Sequence, residues 1–340
     1  MGGSHGGPAE PPDGREGATS DEPAAARARR TGWRRLLRHA FVAAVVVALV
    51  LVLWGQRETV AESLGSMSPA TLATSLLFAM VAAALPGLVW RDLLTSQGYP
   101  TPRITGLRAF FVAQLGKYLP GGIWNLVAQV AMARDLRIPG RQGATATFLV
   151  LALSVITSLL VAALTLAFAV PELLAEYWWA FAVVPVLFVL LLPPSVTWWS
   201  GTAFRLLRRP GRPIVLSAGD LLRAALLLCL SWTTLGVHFG FLVRELGPDT
   251  SAVWLLSVGV YALAWVAGLL VVFAPAGAGV REAVLVLGFA AFLPAGPLLA
   301  VAVLSRVLLV LADVLLAAGL VAAAWFPLGR RRTGPAPDPR

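Results

Sequence analysis

Residues 144–170 read ATATFLVLALSVITSLLVAALTLAFAV and contain no charged side chain. An apolar run of about 20 residues is long enough to cross the hydrocarbon core of a bilayer as an α-helix. Seven further apolar segments are interpreted in the same way, so we predict an all-α polytopic integral membrane protein with eight transmembrane helices. The predicted spans are residues 39–54, 70–90, 144–170, 177–193, 218–243, 251–273, 277–293 and 297–326.

The composition supports a membrane protein over a soluble one. Of the 340 residues, 58% are hydrophobic and 13% are charged, whereas soluble domains are nearer 45–50% apolar and about 25% charged. The three histidines and the one cysteine, Cys229, make neither a metal-binding set nor an intramolecular disulfide. The sequence contains no nucleophile elbow and no nucleotide-binding loop. We therefore expect no metal, no cofactor and no enzymatic activity.

The arginines predict the orientation of the chain. The net charge is +10, and most basic residues fall in loops that one topology places together, whereas Arg57 and Arg244 fall on the other side. Cytoplasmic loops carry such an excess of positive charge, so membrane topology explains the charge better than a nucleic-acid partner does. We predict cytoplasmic tails at 1–38, disordered and basic, and at 327–340, with a transmembrane domain at 39–326. The arginine bias favours a bacterial plasma membrane.

Residues 104–136 are apolar but are interrupted at Pro120-Gly121-Gly122. We predict a re-entrant pair of short helices that enters and leaves on one side. Irregular backbone at membrane depth is tolerated where protein or a water-filled cavity covers it. A single crossing here would move the later arginine loops to the opposite side, so the charges also favour the hairpin.

Residues 197–209, TWWSGTAFRLLRR, alternate aromatic and aliphatic side chains with arginines. The segment is too short and too charged to span. It is predicted to be an interfacial helix on the inner leaflet, with an ordinary cytoplasmic loop as the alternative.

Two segments break the helical pattern in a similar way. GKYLPGGIWN (116–125) and FAPAGAGVREA (273–283) each contain a proline and glycines between two helical stretches. A broken helix frees backbone N–H groups that attract anions, and paired breaks point to the substrate site of a transporter. A hinge or close helix packing is the alternative. The predicted substrate-binding residues at the breaks are Lys117, Pro120, Gly121, Gly122, Asn125, Pro275, Gly277, Gly279, Arg281 and Glu282.

Arg306 and Asp313 add two charges to the last predicted span, and we include both in the substrate site. They lie about 10 Å apart along a helix, too far for a direct ion pair. A charge at the bilayer centre costs about 2.5–3.5 kcal/mol on insertion scales, so each needs a partner. We expect Asp313 to pair with Arg281 or Lys117, and Arg306 with Glu282. A structural ion-pair network explains these charges as well as a substrate path does.

His238 stands near the end of the fifth predicted span. A single histidine there is interpreted as a packing residue whose hydrogen bonds are satisfied, rather than as a proton relay.

GKYLPGG and PAGAGVREA together resemble the lysylphosphatidylglycerol synthase transmembrane region family, whose members are also described as flippase-like. The resemblance covers residues 40–326. The second motif of the family is Pro-Gly-Gly-x-Gly-x-x-Glu, and Ala276 stands here in place of a glycine while Glu282 keeps its position. Bifunctional members carry a soluble aminoacyl-transferase domain after the membrane region. No such domain follows the last span here, so synthase activity is not expected.

The resemblance implies a protein that moves lipids or lipid-linked groups between leaflets. We expect an anionic phospholipid or a polyprenyl-linked lipid to place its head group near the two breaks, where Lys117 and Arg281 neutralise its phosphate. One alternative is a secondary transporter of a small anion, coupled to protons through Glu282 or Asp313. Another is a non-transporting subunit that supports a cell-envelope synthase. Membrane lipids, a second copy of the chain or such a synthase are the expected partners.

Overall fold

The computed structural model describes most of the chain from residue 67 onward. The described residues are 2–3, 47, 54, 65, 67–119, 123–176, 178, 182–206, 216–247, 250–271 and 279–325. The chain divides into two units, Met1–Ala44 and Val45–Arg340, and the elements below belong to the second. Its described residues form helices joined by turns, and none of them lies in a strand.

Five of the described helices are long and apolar enough to cross a bilayer. This confirms the prediction of an all-α, multi-pass membrane protein. The sequence placed the starts of these helices within about four residues, the accuracy expected at helix ends. The five helices are α1 (Pro69–Ser96), α4 (Gly140–Ala169), α8 (Ala218–Val243), α9 (Ser251–Leu270) and α11 (Ala295–Trp325).

Polar caps set the starting points of three long helices. The side chains of Ser68, Ser217 and Thr250 each accept a hydrogen bond from the backbone N–H three residues later. Such caps satisfy backbone donors that the first turn of a helix leaves unpaired. The apolar runs therefore begin their helices where a serine or threonine precedes them.

Two of the eight predicted spans take a different form in the structure, and a third falls almost entirely outside the described residues. The first predicted span, 39–54, lies outside the described residues except for Val47 and Trp54. In place of the span at 177–193, α6 (Val183–Leu190) bends by 83° into α7 (Pro193–Leu206). Proline cannot donate a backbone hydrogen bond and clashes with the preceding turn, so the Pro193-Pro194 pair ends α6. The bent pair is a sixth crossing only if its two helices form one span.

α7 covers the described part of the segment that the sequence predicts to be interfacial. It is preceded in the chain by α5 (Pro171–Glu176) and α6. The Trp198 side chain is largely exposed, as an interfacial position requires. The location of α7 on the inner leaflet stays a prediction.

The predicted span at 277–293 is wrong as a single crossing. Its described part holds only α10 (Val280–Gly288), a helix of nine residues. Such a helix is about 13 Å long, less than half of the roughly 30 Å hydrocarbon core. The helix ends at Gly288, so α10 is too short to cross the membrane by itself. Hydropathy counts apolar residues and does not detect that the backbone stops being helical at Phe289.

The segment 104–136 forms the predicted pair of short helices. α2 (Arg103–Gln114) continues into a 3₁₀ turn at Leu115–Tyr118, and α3 (Trp124–Asp135) follows the break. The two helices contact each other, and Gln129 Nε2 donates to Gln114 Oε1 at 3.4 Å. We call α2, the 3₁₀ turn and α3 the hairpin. Its depth in the membrane stays a prediction.

The long helices pack through small residues. Gly236 of α8 lies so close to α9 that a Cβ atom there would overlap the Cα of Val258. Glycine permits this approach because it has no side chain, and such close crossings are typical of membrane helices. The surrounding core contains the buried rings of Phe239 and Phe289, which fix α8 and α9 against α10.

Candidate functional site

Lys117 and Tyr118 attach the hairpin to α11. Lys117 Nζ lies 2.6 Å from Asp313 Oδ2, and the Tyr118 hydroxyl donates to the same oxygen at 2.5 Å. Asp313 is buried, so these two contacts compensate part of the loss of hydration of its carboxylate. Of the two partners that the sequence suggested for Asp313, the structure selects Lys117.

Glu282 and Arg306 attach the second break to the same helix. Arg306 Nη1 donates to Glu282 Oε1 at 3.0 Å, the pairing that the sequence predicted. Glu282 Oε2 accepts from the Gly279 N–H at 2.7 Å. Gly279 has φ of 83°, in the left-handed region that glycine adopts without strain. Glu282 therefore both closes the first turn of α10 and holds Arg306.

Both broken segments place charged side chains against α11, one at Asp313 and the other at Arg306. Asp313 lies two turns beyond Arg306, about 10 Å along the axis. The hairpin reaches α11 at Asp313, whereas α10 starts beside Arg306 and leads away to Leu293. Leu293 lies next to Gly247, close to the end of α8. The charges of both breaks thus lie along one stretch of α11.

We call Lys117, Arg281, Glu282, Arg306 and Asp313 the charge cluster. It holds three cations and two carboxylates, and both carboxylates are paired with cations other than Arg281. Arg281 Nε is buried and has no hydrogen-bond partner. No carboxylate among the described residues forms an ion pair with Arg281, so this residue carries the surplus positive charge of the cluster.

Gly268 makes room for the Arg281 side chain. A Cβ atom at Gly268 of α9 would lie 2.7 Å from Arg281 Cγ and 2.8 Å from its Nε. Tyr118, Tyr261, Glu282 and Arg306 lie within electrostatic range of Arg281. The Arg281 side chain therefore packs against α9, and the hairpin turn and α11 lie within electrostatic range of it.

A groove of about 540 Å³ lies between α10 and α11, within the size range of ligand sites. The Glu282–Arg306 pair forms its polar end, and the remaining walls are apolar. Leu287 and Leu299 at the far end are 74% and 47% exposed, so the groove opens to the surroundings of the protein. The lining residues are Gly279, Glu282, Ala283, Val286, Leu287, Leu299, Val303 and Arg306.

Part of the predicted site cannot be placed. Pro120, Gly121, Gly122, Pro275 and Gly277 lie outside the described residues.

Asn125 is described, and its Oδ1 atom is buried without a hydrogen-bond partner. The charge cluster and Gly279 are thus the predicted site residues that the structure brings together along α11. Among the described residues, no group of three or more His, Cys, Asp or Glu side chains could hold a metal ion.

Sequence reasoning missed two tyrosines at the cluster. Tyr118 follows Lys117 directly in GKYLPGG, so its position beside the break was a usable signal. Tyr261 lies in the middle of an apolar run of α9, where a tyrosine is as easily read as a packing residue. Its place near Arg281 follows only from the packing of α9 against α10.

These features define a polytopic membrane protein in which two interrupted helices bring their charges to one long helix. The model of the lysylphosphatidylglycerol synthase TM region family matches residues 41–319. The match includes the hairpin, α10 and most of α11, and the chain belongs to this family. No curated protein matches the chain.

Proposed function

We propose that this protein moves an anionic lipid, such as a phospholipid or a polyprenyl-linked lipid, between the leaflets of its membrane, without enzymatic chemistry. The observation that carries the proposal is Arg281, which forms no ion pair with a described carboxylate and whose Nε is buried without a hydrogen-bond partner. A partly buried cation without a counter-ion is unfavourable in an apolar interior. A phosphate head group would supply the missing charge.

The chemistry of Arg281 suits a phosphate. Guanidinium presents several N–H donors in a planar fork and binds phosphate oxygens in pairs. The N-terminus of α10 adds the positive end of a helix dipole at the same place. Lys117 and Arg306 are already neutralised by carboxylates, so Arg281 is the cation of the cluster that is available to an incoming anion.

The groove between α10 and α11 suits the other half of a lipid. Its walls beyond the Glu282–Arg306 pair are apolar, and a hydrocarbon chain can lie there without exposing backbone polar groups. The polar end of the groove lies at Glu282, the residue next to Arg281 in the first turn of α10, so a lipid with its chain in the groove would place its head group close to that turn. This arrangement supports a lipid over a small soluble anion.

A reconstitution experiment tests the proposal. Vesicles containing the protein should move a fluorescent anionic phospholipid faster than a neutral diacylglycerol analogue. Arg281→Gln should abolish this preference. Arg103→Gln, which neutralises an exposed arginine at the start of α2, should keep it. Equal rates for both lipids in the wild type would refute the anion site, and uptake of a small anion without lipid movement would replace the proposal by an anion transporter.

A further inference from the structure

A second, charged cleft lies where α1 ends and α8 begins. Its volume is about 220 Å³, less than the roughly 300–1,000 Å³ of sites that enclose a drug-sized ligand. A cleft of this size can hold a lipid head group but not a whole lipid. Charged side chains from both helices line it, namely Arg91 and Asp92 of α1 and Asp220 and Arg223 of α8.

The cleft is distant from the groove between α10 and α11. α1 and α8 are antiparallel, because Thr71 at the start of α1 donates to Glu245 just beyond the end of α8, whereas Asp92 near the end of α1 pairs with Arg223 near the start of α8. α8 has 26 residues and is about 39 Å long. α10 leads toward Gly247, at the far end of α8. The groove therefore runs toward the end of α8 that is opposite to the cleft.

Asp92 is shared by two arginines. Arg91 Nη1 donates to Asp92 Oδ1 at 2.7 Å, and Arg91 Nε donates to the Thr101 carbonyl at 2.7 Å. Arg223 Nη2 lies 3.1 Å from Asp92 Oδ2, but the two atoms do not form a hydrogen bond. The Arg223 side chain is also 59% exposed, and exposed ion pairs contribute little to stability. Arg91 is therefore held by two hydrogen bonds, whereas Arg223 can exchange its partner for an incoming anion.

Asp220 supplies the second carboxylate of the cleft. Among the residues that the structure describes, no cation forms an ion pair with it. Asp220 lies in the first turn of α8, where its Oδ2 atom accepts a hydrogen bond from Ser217 Oγ at 2.7 Å. Arg223 follows one turn later on the same side of the helix, but its Nη2 atom lies next to Asp92 of α1. The cleft therefore offers a carboxylate and a guanidinium, one turn apart, that do not pair with each other.

Two opposite charges one turn apart fit a ligand that carries both charges. A phosphate binds a guanidinium through paired hydrogen bonds, and a primary ammonium donates hydrogen bonds to carboxylate oxygens. Quaternary ammonium groups are instead recognised by aromatic rings, and none of the described residues that line the cleft is aromatic. The cleft therefore favours a primary ammonium over a choline group.

The surroundings of the cleft favour a lipid over a soluble zwitterion. Val89, Leu93 and Leu227 form the apolar part of its wall. Leu222 and Leu226 lie on the outer face of the same part of α8 and are largely exposed, as side chains that contact hydrocarbon would be. Acyl chains can therefore continue from the cleft along the outside of α8.

We propose that this cleft binds the head group of a zwitterionic phospholipid that carries a primary ammonium, such as an ethanolamine phospholipid. The phosphate binds Arg223, the ammonium binds Asp220, and the chains lie against α8. The site is separate from the proposed movement of an anionic lipid at the charge cluster and does not depend on it.

Native mass spectrometry of the full chain in detergent tests this site. Phosphatidylethanolamine and phosphatidylcholine with the same chains are titrated separately, and the dissociation constant of each lipid is measured. The wild type should bind phosphatidylethanolamine about tenfold more tightly, the effect of one charge-assisted hydrogen bond, because only its ammonium can donate to Asp220. Soluble phosphoethanolamine should bind more weakly than phosphatidylethanolamine, because it lacks the chains.

Two variants remove the two charges separately. Asp220→Asn should abolish the preference for phosphatidylethanolamine, and it keeps an oxygen that can accept from Ser217. Arg223→Gln should weaken the binding of both lipids, because both contain the phosphate. Asp92 keeps its hydrogen bond from Arg91 in this variant, so no carboxylate loses its last partner.

Two controls retain the cleft. Glu172 is an exposed acidic residue in the first turn of α5 and does not line the cleft, so Glu172→Gln should keep the wild-type preference. Arg281→Gln should keep it as well, because the charge cluster is a different site. Loss of the preference in Arg281→Gln would place the lipid at the charge cluster and overturn the proposal.

The other outcomes separate this proposal from the proposed function. Equal affinities for the two lipids in the wild type would overturn the cleft site, and so would a preference that persists in folded Asp220→Asn. Soluble phosphoethanolamine that binds as tightly as the lipid would overturn the assignment of a lipid. Lipid binding that responds to the cleft variants, without movement of anionic lipid in vesicles, would keep the cleft site and remove the proposed function.

Discussion

Lys117 and Asp313 form an ion pair whose two partners are unequally buried. The Lys117 side chain is 29% exposed, whereas that of Asp313 is 2% exposed. Lysine has a long side chain that can reach polar surroundings when it loses its partner. The Asp313 side chain is short and buried in the interior of the bundle, so its carboxylate cannot reach polar surroundings. Substitution of Lys117 and substitution of Asp313 should therefore have different effects on stability.

Removing the lysine should therefore be more harmful than removing the aspartate. Breaking a buried ion pair typically costs about 3–5 kcal/mol, and we expect Lys117→Gln to approach this range and Asp313→Asn to stay below it. Thermal unfolding of the purified protein in detergent measures both effects. The double variant should recover part of the loss, because it leaves no orphaned charge. A double variant whose loss equals the sum of the single losses would show that the pair contributes nothing.

Arg281 and Arg306 should differ in the same assay. Arg306→Gln takes the cation away from Glu282 and leaves a buried carboxylate, so it should lower the unfolding temperature. Arg281→Gln orphans no carboxylate and removes a buried donor that lacks a partner, so it should leave the unfolding temperature unchanged or raise it. Equal destabilisation by both variants would contradict a free Arg281 and point to a structural role for it.

The sequence predicted the parts of this fold that depend on composition. The starts of α8 and α9 and the presence of the hairpin follow from apolar runs and their interruptions, and they are confirmed. The shortness of α10 and the 83° bend before α7 were not predicted, because hydropathy reports the preference for lipid and not the continuity of the backbone.

The residues of the candidate site also divide into those that the sequence predicted and those that it did not. Charged residues in apolar segments could be recognised one by one, and the need for partners followed from the cost of burial. The choice of Lys117 over Arg281 for Asp313 depends on where the hairpin meets α11. The hydrogen bonds of the buried His238 ring join α8 to Ser75 of α1 and to Ser305 of α11. These helices are distant in the sequence, so only their packing reveals the contacts.

The contact between α8 and α9 can be tested with a single methyl group. A Cβ at Gly236 would overlap the backbone of Val258, and backbone cannot rotate away as a side chain can. Gly236→Ala should therefore separate the helices and destabilise the protein by about 1–3 kcal/mol, the usual cost of overpacking. Gly319→Ala in α11 is the control, because its Cβ would meet no atom within 4 Å. The control should be neutral or slightly stabilising.

The hairpin makes a prediction about topology. If residues 104–136 enter and leave on one side, reporter fusions at residues 100 and 140 should both report the cytoplasm. A fusion at residue 174 should report the opposite side, because α4 is 30 residues long and apolar enough to cross. Opposite sides for 100 and 140 would mean that the segment crosses the membrane and that the hairpin is not re-entrant.

A bulky substitution in the groove between α10 and α11 should block transport without disturbing the core. Ala283 lines the groove and is exposed, so Ala283→Phe should fill the space beside Val303 while leaving the buried face of α10 intact. If a lipid chain lies in the groove during transport, this variant should slow the movement of fluorescent anionic phospholipid in vesicles and keep the wild-type unfolding temperature. Ala318→Phe is the matched control, since Ala318 is exposed on α11 but does not line the groove. Similar transport rates for both variants would show that the hydrocarbon chain takes a different route and that the groove is not part of the lipid path.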